Sequence, residues 1–123
     1  MTINDPPVLA QVKAAFERYE RALVSNDIPV LDELFWDSPH TVRFGAAENL
    51  YGMEQIRAFR AARPASGLAR TVQATAITTY GDALATTHIE FTRPGARPGR
   101  QSQTWVRMPE GWRIVAAHVS LMA

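Results

Sequence analysis

The sequence predicts an α+β domain in which about three N-terminal helices pack on a curved, mainly antiparallel sheet. Three observations carry this. Apolar residues recur at three- and four-residue spacing only in the first half of the chain. From Leu68 onward, β-branched residues and alternation take over. Turn signals then divide that second half into four strands of about ten residues each. With 123 residues, the chain has room for one domain spanning 1–123 and one core.

Val8, Val12, Phe16, Tyr19 and Leu23 form one apolar stripe on a first helix over residues 6–25, with Lys13, Glu17, Arg18 and Arg21 on its other faces. Asn26 and Asp27 are capping types and Pro29 suits a first helical position, so a short second helix runs through Val30, Leu31, Leu34 and Phe35 and stops before Pro39. Thr41 to Phe44 is β-prone, and Gly45 to Asn49 is a turn. Leu50-Tyr51 extends a further strand before a third helix, which opens at Gly52 and ends at Arg63 ahead of Pro64.

Tyr80-Gly-Asp-Ala83 reads as a two-residue hairpin loop pairing residue 79 with 84 and 75 with 88. This register puts Val72, Ala74, Ala76, Ala85, Ile89 and Phe91 against the helices, and turns His88 and Glu90 away. A wide loop, Arg93 to Arg100, precedes a last hairpin turning at Met108-Pro-Glu-Gly-Trp112. Pairing Met108 with Trp112 sets Ser102 opposite His118. One face then runs from Trp112, Met108 and Ile114 to Thr104, His118, Ser102 and Ser120, which suits a pocket with a dry floor and a polar mouth. The opposite face, with Trp105, Gln103, Gln101 and Arg107, reads as an outer surface for a second copy.

Composition narrows the function classes. The net charge is +1, and twelve of the thirteen basic residues are arginines scattered along the chain without a basic stripe, which argues against nucleic acid. Arginine's planar fork suits carboxylate ligands. There is no cysteine, no basic and apolar leader and no long apolar run, so a cytoplasmic protein with no membrane contact is expected. The histidines at 40, 88 and 118 have no metal-ligand spacing, and no phosphate loop, dinucleotide fingerprint or nucleophile elbow occurs; neither metal nor cofactor is expected.

Several polar residues have both a structural and a functional reading. Tyr19 is a core tyrosine bonded to backbone or a pocket acid–base group. Arg43 is a surface arginine or a carboxylate clamp; if Val42 and Phe44 fill the core, alternation turns Arg43 outward unless a bulge re-aims it. His118, Ser120 and Ser102 form a cluster able to orient a polar ligand. Glu48 and Asn49 sit in a turn at the candidate rim.

The stretches Glu33-Leu-Phe-Trp-Asp-Ser-Pro-His-Thr-Val-Arg-Phe-Gly45, Glu48-Asn-Leu-Tyr-Gly52, Gly99-Arg-Gln-Ser-Gln-Thr-Trp-Val-Arg107 and Gly111-Trp-Arg-Ile-Val-Ala-Ala-His-Val-Ser-Leu121 resemble the AtzH-like family. That resemblance implies a nuclear-transport-factor-2-like (SnoaL-like, cystatin-like) cone, usually a homodimer or homotetramer. It also implies a cofactor-free, decarboxylating amidohydrolase step on carboxylated ureas such as 1,3-dicarboxyurea in cyanuric acid breakdown. The tyrosine and arginine of that activity fall on Tyr19 and Arg43 as the catalytic pair, with His118, Ser120, Ser102 and Asn49 as substrate contacts. A second expectation is a non-catalytic, ligand-binding subunit of a neighbouring amidase, resting on the face that carries Trp105, Gln101 and Gln103. A third is isomerisation or cyclisation of an organic ligand on the same scaffold.

Overall fold

Proline opens the first helix. A computed structural model describes residues 1–123; in it Pro6 and Pro7 begin α1 (Pro6–Val24), where a missing N–H costs nothing. The stripe Val8, Val12, Phe16, Tyr19 and Leu23 is buried, as its spacing predicts. Asn26, at φ 52°, turns the chain out of α1, and the Asp27 carboxylate caps α2 (Ile28–Leu34) by accepting from the Val30 N–H at 3.3 Å. Phe35 leaves α2 extended, and the Trp36 N–H donates to the Ile114 carbonyl at 2.9 Å, tying this helix to the last strand.

Two short strands, β1 (Val42–Phe44) and β2 (Asn49–Tyr51), precede α3 (Met53–Ala62), which buries Met53, Ile56 and Arg60. Then come β3 (Thr71–Tyr80), β4 (Leu84–Thr92), β5 (Gly99–Met108) and β6 (Gly111–Leu121). The six strands make one open sheet in the order β2-β1-β6-β5-β4-β3, antiparallel throughout except for the parallel pair β1–β6. Three helices on this mixed sheet form the expected α+β architecture, with Trp105, Phe35, Phe91, Leu31 and Ile114 at the centre of the core.

Two hairpins depart from the expected register. The β3–β4 loop has three residues, Gly81-Asp82-Ala83, with Gly81 at φ 68°, so Tyr80 faces Leu84 and Ala76 faces His88. β4 keeps its predicted faces: Ala85, Ile89 and Phe91 are buried, His88 and Glu90 exposed. On β3 the slip of one residue puts Ala74 and Ala76 on the outer side with Glu90 and His88 and turns Thr79 inward with Ala85, until an irregularity at Gln73 restores the expected pair Val72–Phe91.

The last hairpin turns more tightly than expected, with Met108 opposite Gly111 and Arg107 opposite Trp112. An irregularity then leaves Val115 unopposed between the pairs Trp105–Ile114 and Thr104–Ala116, and Ser102 meets His118 after all. The pairing is the expected one, but the face is not. A bulge inverts alternation along one strand, so Trp112 and Ile114 point inward whereas Ala116, His118 and Ser120 point outward. On β5 the inward side chains are Gln101, Gln103 and Trp105, exposed by 3%, 2% and 0%.

Candidate functional site

The polar interior is built from the helix side of the sheet and consists mainly of arginine. Tyr19 is buried in α1, with its ring 6.3 Å from that of Phe35. Arg60 occupies a core position of α3, lies 4.8 Å over the Phe35 ring and donates to Asp32 at 2.6 Å. Arg70, just before β3, grips Glu20 through two nitrogens and donates to the Gln101 side-chain oxygen at 3.1 Å. Its guanidinium and that of Arg93 lie 4.6 and 5.0 Å from the centre of the Phe91 ring. Gly99 makes this seat possible, because a Cβ there would come within 2.2 Å of Phe91.

Arg43 faces inward. In parallel register with the buried Ala117, it sits 5.4 Å over the Phe59 ring of α3 and pairs with Glu48 at 2.8 Å. Phe44, one residue on, packs edge-on against Tyr51 and His118 instead of entering the core. The alternation at Val42 and Phe44 therefore works in favour of an interior Arg43. Gly45 lets the Glu48 carboxylate fold back, since a Cβ at 45 would lie 1.7 Å from it.

Electrostatics join these groups. Burial pushes the guanidiniums of Arg60, Arg63 and Arg93 below the ordinary arginine range. Neighbouring cations push the same way: Arg43 on Arg60; Arg60, Arg43 and Arg93 on Arg63; Arg70 on Arg93. Tyr19 opposes the fall at all three. Tyr19 thus bears on Arg60, Arg63 and Arg93, and Arg43 and Arg70 bear on members of the same group.

Three of the five are matched by carboxylates, Glu48, Asp32 and Glu20. Arg63 and Arg93 are not: the Nε and Nη2 atoms of Arg63 and the Nε of Arg93 are enclosed without an acceptor, as is the Nε2 of Gln103. A buried donor left unpaired costs about 1–3 kcal/mol, more when charged.

Three of the predicted binding residues, Ser102, His118 and Ser120, come together, but on the side of the sheet away from Tyr19. Ser102 and His118 are exposed on the outer sheet face, where Ser102 meets His88 Nδ1 at 2.8 Å, and with Arg100 and Ser120 they line a shallow depression of about 310 Å³. Asn49 is exposed on the edge strand β2. The Val115 bulge is the physical reason for His118 and Ser120, and ordinary alternation from the buried Trp105 is the reason for Ser102. The same geometry places Trp105, Gln101 and Gln103 in the interior, not on an outer docking face. A cleft of about 790 Å³ lies between Asp37–Pro39 and the start of α3 and carries neither Tyr19 nor Arg43. No cluster of three or more His, Asp or Glu gathers to hold a metal, and no helix is long and apolar enough to cross a membrane.

Sequence reasoning did not single out Arg60, Arg63, Arg70, Arg93, Gln101 or Gln103 as pocket residues. For two arginines a signal existed. Arg60 continues the Met53, Ile56 helical stripe, and Arg93 continues the inward alternation Ala85, Thr87, Ile89, Phe91.

Helices over one face of a mixed sheet, with a polar interior between them, are the architecture of the nuclear-transport-factor-2-like and cystatin-like proteins. A Salmonella enterica serovar Typhimurium protein of the nuclear transport factor 2-like superfamily is 26% identical, with 95% of this chain and 92% of that one covered at a TM-score of 0.77. The chain belongs to the AtzH-like family, whose model matches residues 1–123. A Pectobacterium atrosepticum protein of unknown function is 64% identical, covering 98% of this chain and 95% of its own at a TM-score of 0.97. A Burkholderia xenovorans cystatin-like fold protein is 50% identical, covering 100% and 98% at a TM-score of 0.95. Among curated proteins, none matches this chain.

Proposed function

We propose that the protein is a cofactor-free amidohydrolase of small carboxylated ureas or ureides, with 1,3-dicarboxyurea as the model substrate. The observation that carries this is Tyr19, buried in α1 beside the Phe35 ring over which the Arg60 guanidinium also lies. Arg43 clamps a substrate carboxylate, and its position over Phe59 fixes the guanidinium plane. Water adds to the carbon of the scissile C–N bond. That bond then breaks, the nitrogen gains a proton, and inorganic carbon leaves from the carboxylated end. Tyr19 exchanges the proton with the scissile amide or the attacking water, and the surrounding cations stabilise the negative charge that builds on oxygen.

The amidase-subunit reading rested on Trp105, Gln101 and Gln103 as outer residues; their burial removes that support. We further propose that copies of the chain associate through the outer face of β3 to β6.

The test is consumption of freshly prepared 1,3-dicarboxyurea, followed by carbon NMR and release of inorganic carbon. Tyr19→Phe keeps the ring and removes the proton, so kcat is expected to fall about 10²- to 10⁴-fold with the circular dichroism spectrum unchanged. Arg43→Gln should act mainly on KM. No turnover by the wild type, or equal rates in all three proteins, would overturn the assignment.

A further inference from the structure

We propose that the Gln103 side-chain amide donates to the carbonyl oxygen of the substrate, so that the interior selects acids carrying a carbonyl close to the carboxylate that Arg43 holds. The proposal deepens the functional reading above and rests on it for the identity of the substrate, but its binding test does not depend on turnover.

Two neighbours fix the direction of this amide. The Trp105 indole N–H can only donate, and it donates to Thr87 Oγ1 at 3.1 Å. Thr87 in turn gives its single proton to Gln103 Oε1 at 3.0 Å. All three side chains are enclosed: Trp105 is 0% exposed, Thr87 1% and Gln103 2%. The Gln103 oxygen is therefore occupied on the β4 side, while its nitrogen, with two protons to give, is buried without an acceptor. Such a donor is costly to leave unpaired, so it marks a place where a bound group supplies the acceptor. Gln101, two residues earlier on the same face, shows the contrast: its oxygen accepts from Arg70 at 3.1 Å, and neither of its polar atoms is stranded.

The sheet register brings this amide to Arg43. Gln103 on β5 faces Ala117 on β6, and Ala117 in turn faces Arg43 on β1. The three lie in one row across the helix side of the sheet, so two strand spacings set the Gln103 and Arg43 Cα atoms about 10 Å apart. Between them stands only the methyl group of Ala117, over which both longer side chains can reach. Arg43 is held at the β1 end of the row by Glu48 at 2.8 Å and by Phe59, and Gln103 is anchored from the β4 end through Thr87. A carboxylated urea matches this order of functions. Its carbonyl carbon is two bonds from the carboxylate carbon, so a molecule held by its carboxylate at Arg43 carries its carbonyl oxygen toward Gln103. Charge that gathers on that oxygen as the C–N bond breaks meets a donor already in place.

3-Oxoglutarate carries the central carbonyl of dicarboxyurea with methylenes in place of its nitrogens, and glutarate differs from it only by lacking that oxygen. Calorimetric titration of the whole protein with each acid, freshly dissolved, should give 3-oxoglutarate about tenfold tighter binding. Gln103→Met keeps the length of the side chain and removes the donor. It should erase the preference by weakening 3-oxoglutarate alone, whereas a merely structural role would weaken both acids alike. Thr87→Val leaves Gln103 in place but releases its oxygen, so the preference should fall about two- to fivefold; added to Gln103→Met, it should change the ratio no further. Should the methionine variant not fold, an unchanged preference in Thr87→Val overturns the assignment. If the wild type binds neither acid or both equally, or Gln103→Met keeps the preference, Gln103 does not receive the carbonyl, even where dicarboxyurea is turned over. A carbonyl preference lost in Gln103→Met, in a protein without turnover, supports the donor and overturns the reaction alone.

Discussion

Asp32 and Arg60 illustrate how a charge is kept inside this fold. Arg60 is 3% exposed and bonded to Asp32 at 2.6 Å, with its guanidinium over Phe35. Removing Asp32 strands the arginine; removing Arg60 leaves Asp32, a quarter exposed, still able to reach water. Breaking a buried pair from the carboxylate side costs about 3–5 kcal/mol, and the partial exposure of Asp32 points to the lower end. An apolar replacement of similar volume usually costs less than about 1.5 kcal/mol. Urea denaturation should therefore show Asp32→Ala as clearly more destabilising than Arg60→Met. The reverse order would mean that the arginine is held by packing on Phe35, not by its partner.

The strands and helices were legible because their signals are local: two prolines and a capping aspartate, one apolar stripe, alternation bounded by turns. Face assignment on the sheet was less so, because it depends on parity, and parity changes with one residue. The Val115 bulge and the three-residue Gly81 loop each move side chains across the sheet without changing local propensity. This is why Tyr19, on a helix with a clear stripe, was placed correctly in the interior, while Ser102, His118 and Ser120 were placed on the wrong side. Arg63 and Arg70 lie in the connection between α3 and β3, where no period indicates direction. Gly99 offers a test of how tightly β4 and β5 hold the arginine seat. Gly99→Ala should drive Phe91 from its place and lower stability by about 1–3 kcal/mol. It should also lower dicarboxyurea turnover, since Arg70 and Arg93 rest on that ring. A variant that melts like the wild type would show that Phe91 moves freely and does not position the arginines.

The molecule as a whole is two-sided. Helices cover the inner face of the sheet and enclose the cationic interior, while the outer face carries Thr86, His88, Ser102, Thr104 and His118 with nothing packed on it in a single copy. Leu84 is 42% exposed on that side, beside the half-buried Val106. Such a blend of apolar and hydrogen-bonding groups, low in charge near its centre, resembles the composition of protein–protein contacts more than that of ordinary surface. Two copies meeting there would leave each cationic interior intact, because the site lies on the opposite side of the sheet. Light scattering should accordingly report a dimer or tetramer for the wild type. Ser102→Glu combined with Thr104→Glu sets like charges from two copies against each other and should shift the mass to the monomer. Dicarboxyurea turnover per chain should persist in that variant, since neither residue faces Tyr19. A monomeric wild type, or an oligomer indifferent to the added charges, would place the contact elsewhere; loss of turnover on dissociation would instead mean that each site needs its neighbour to stay closed.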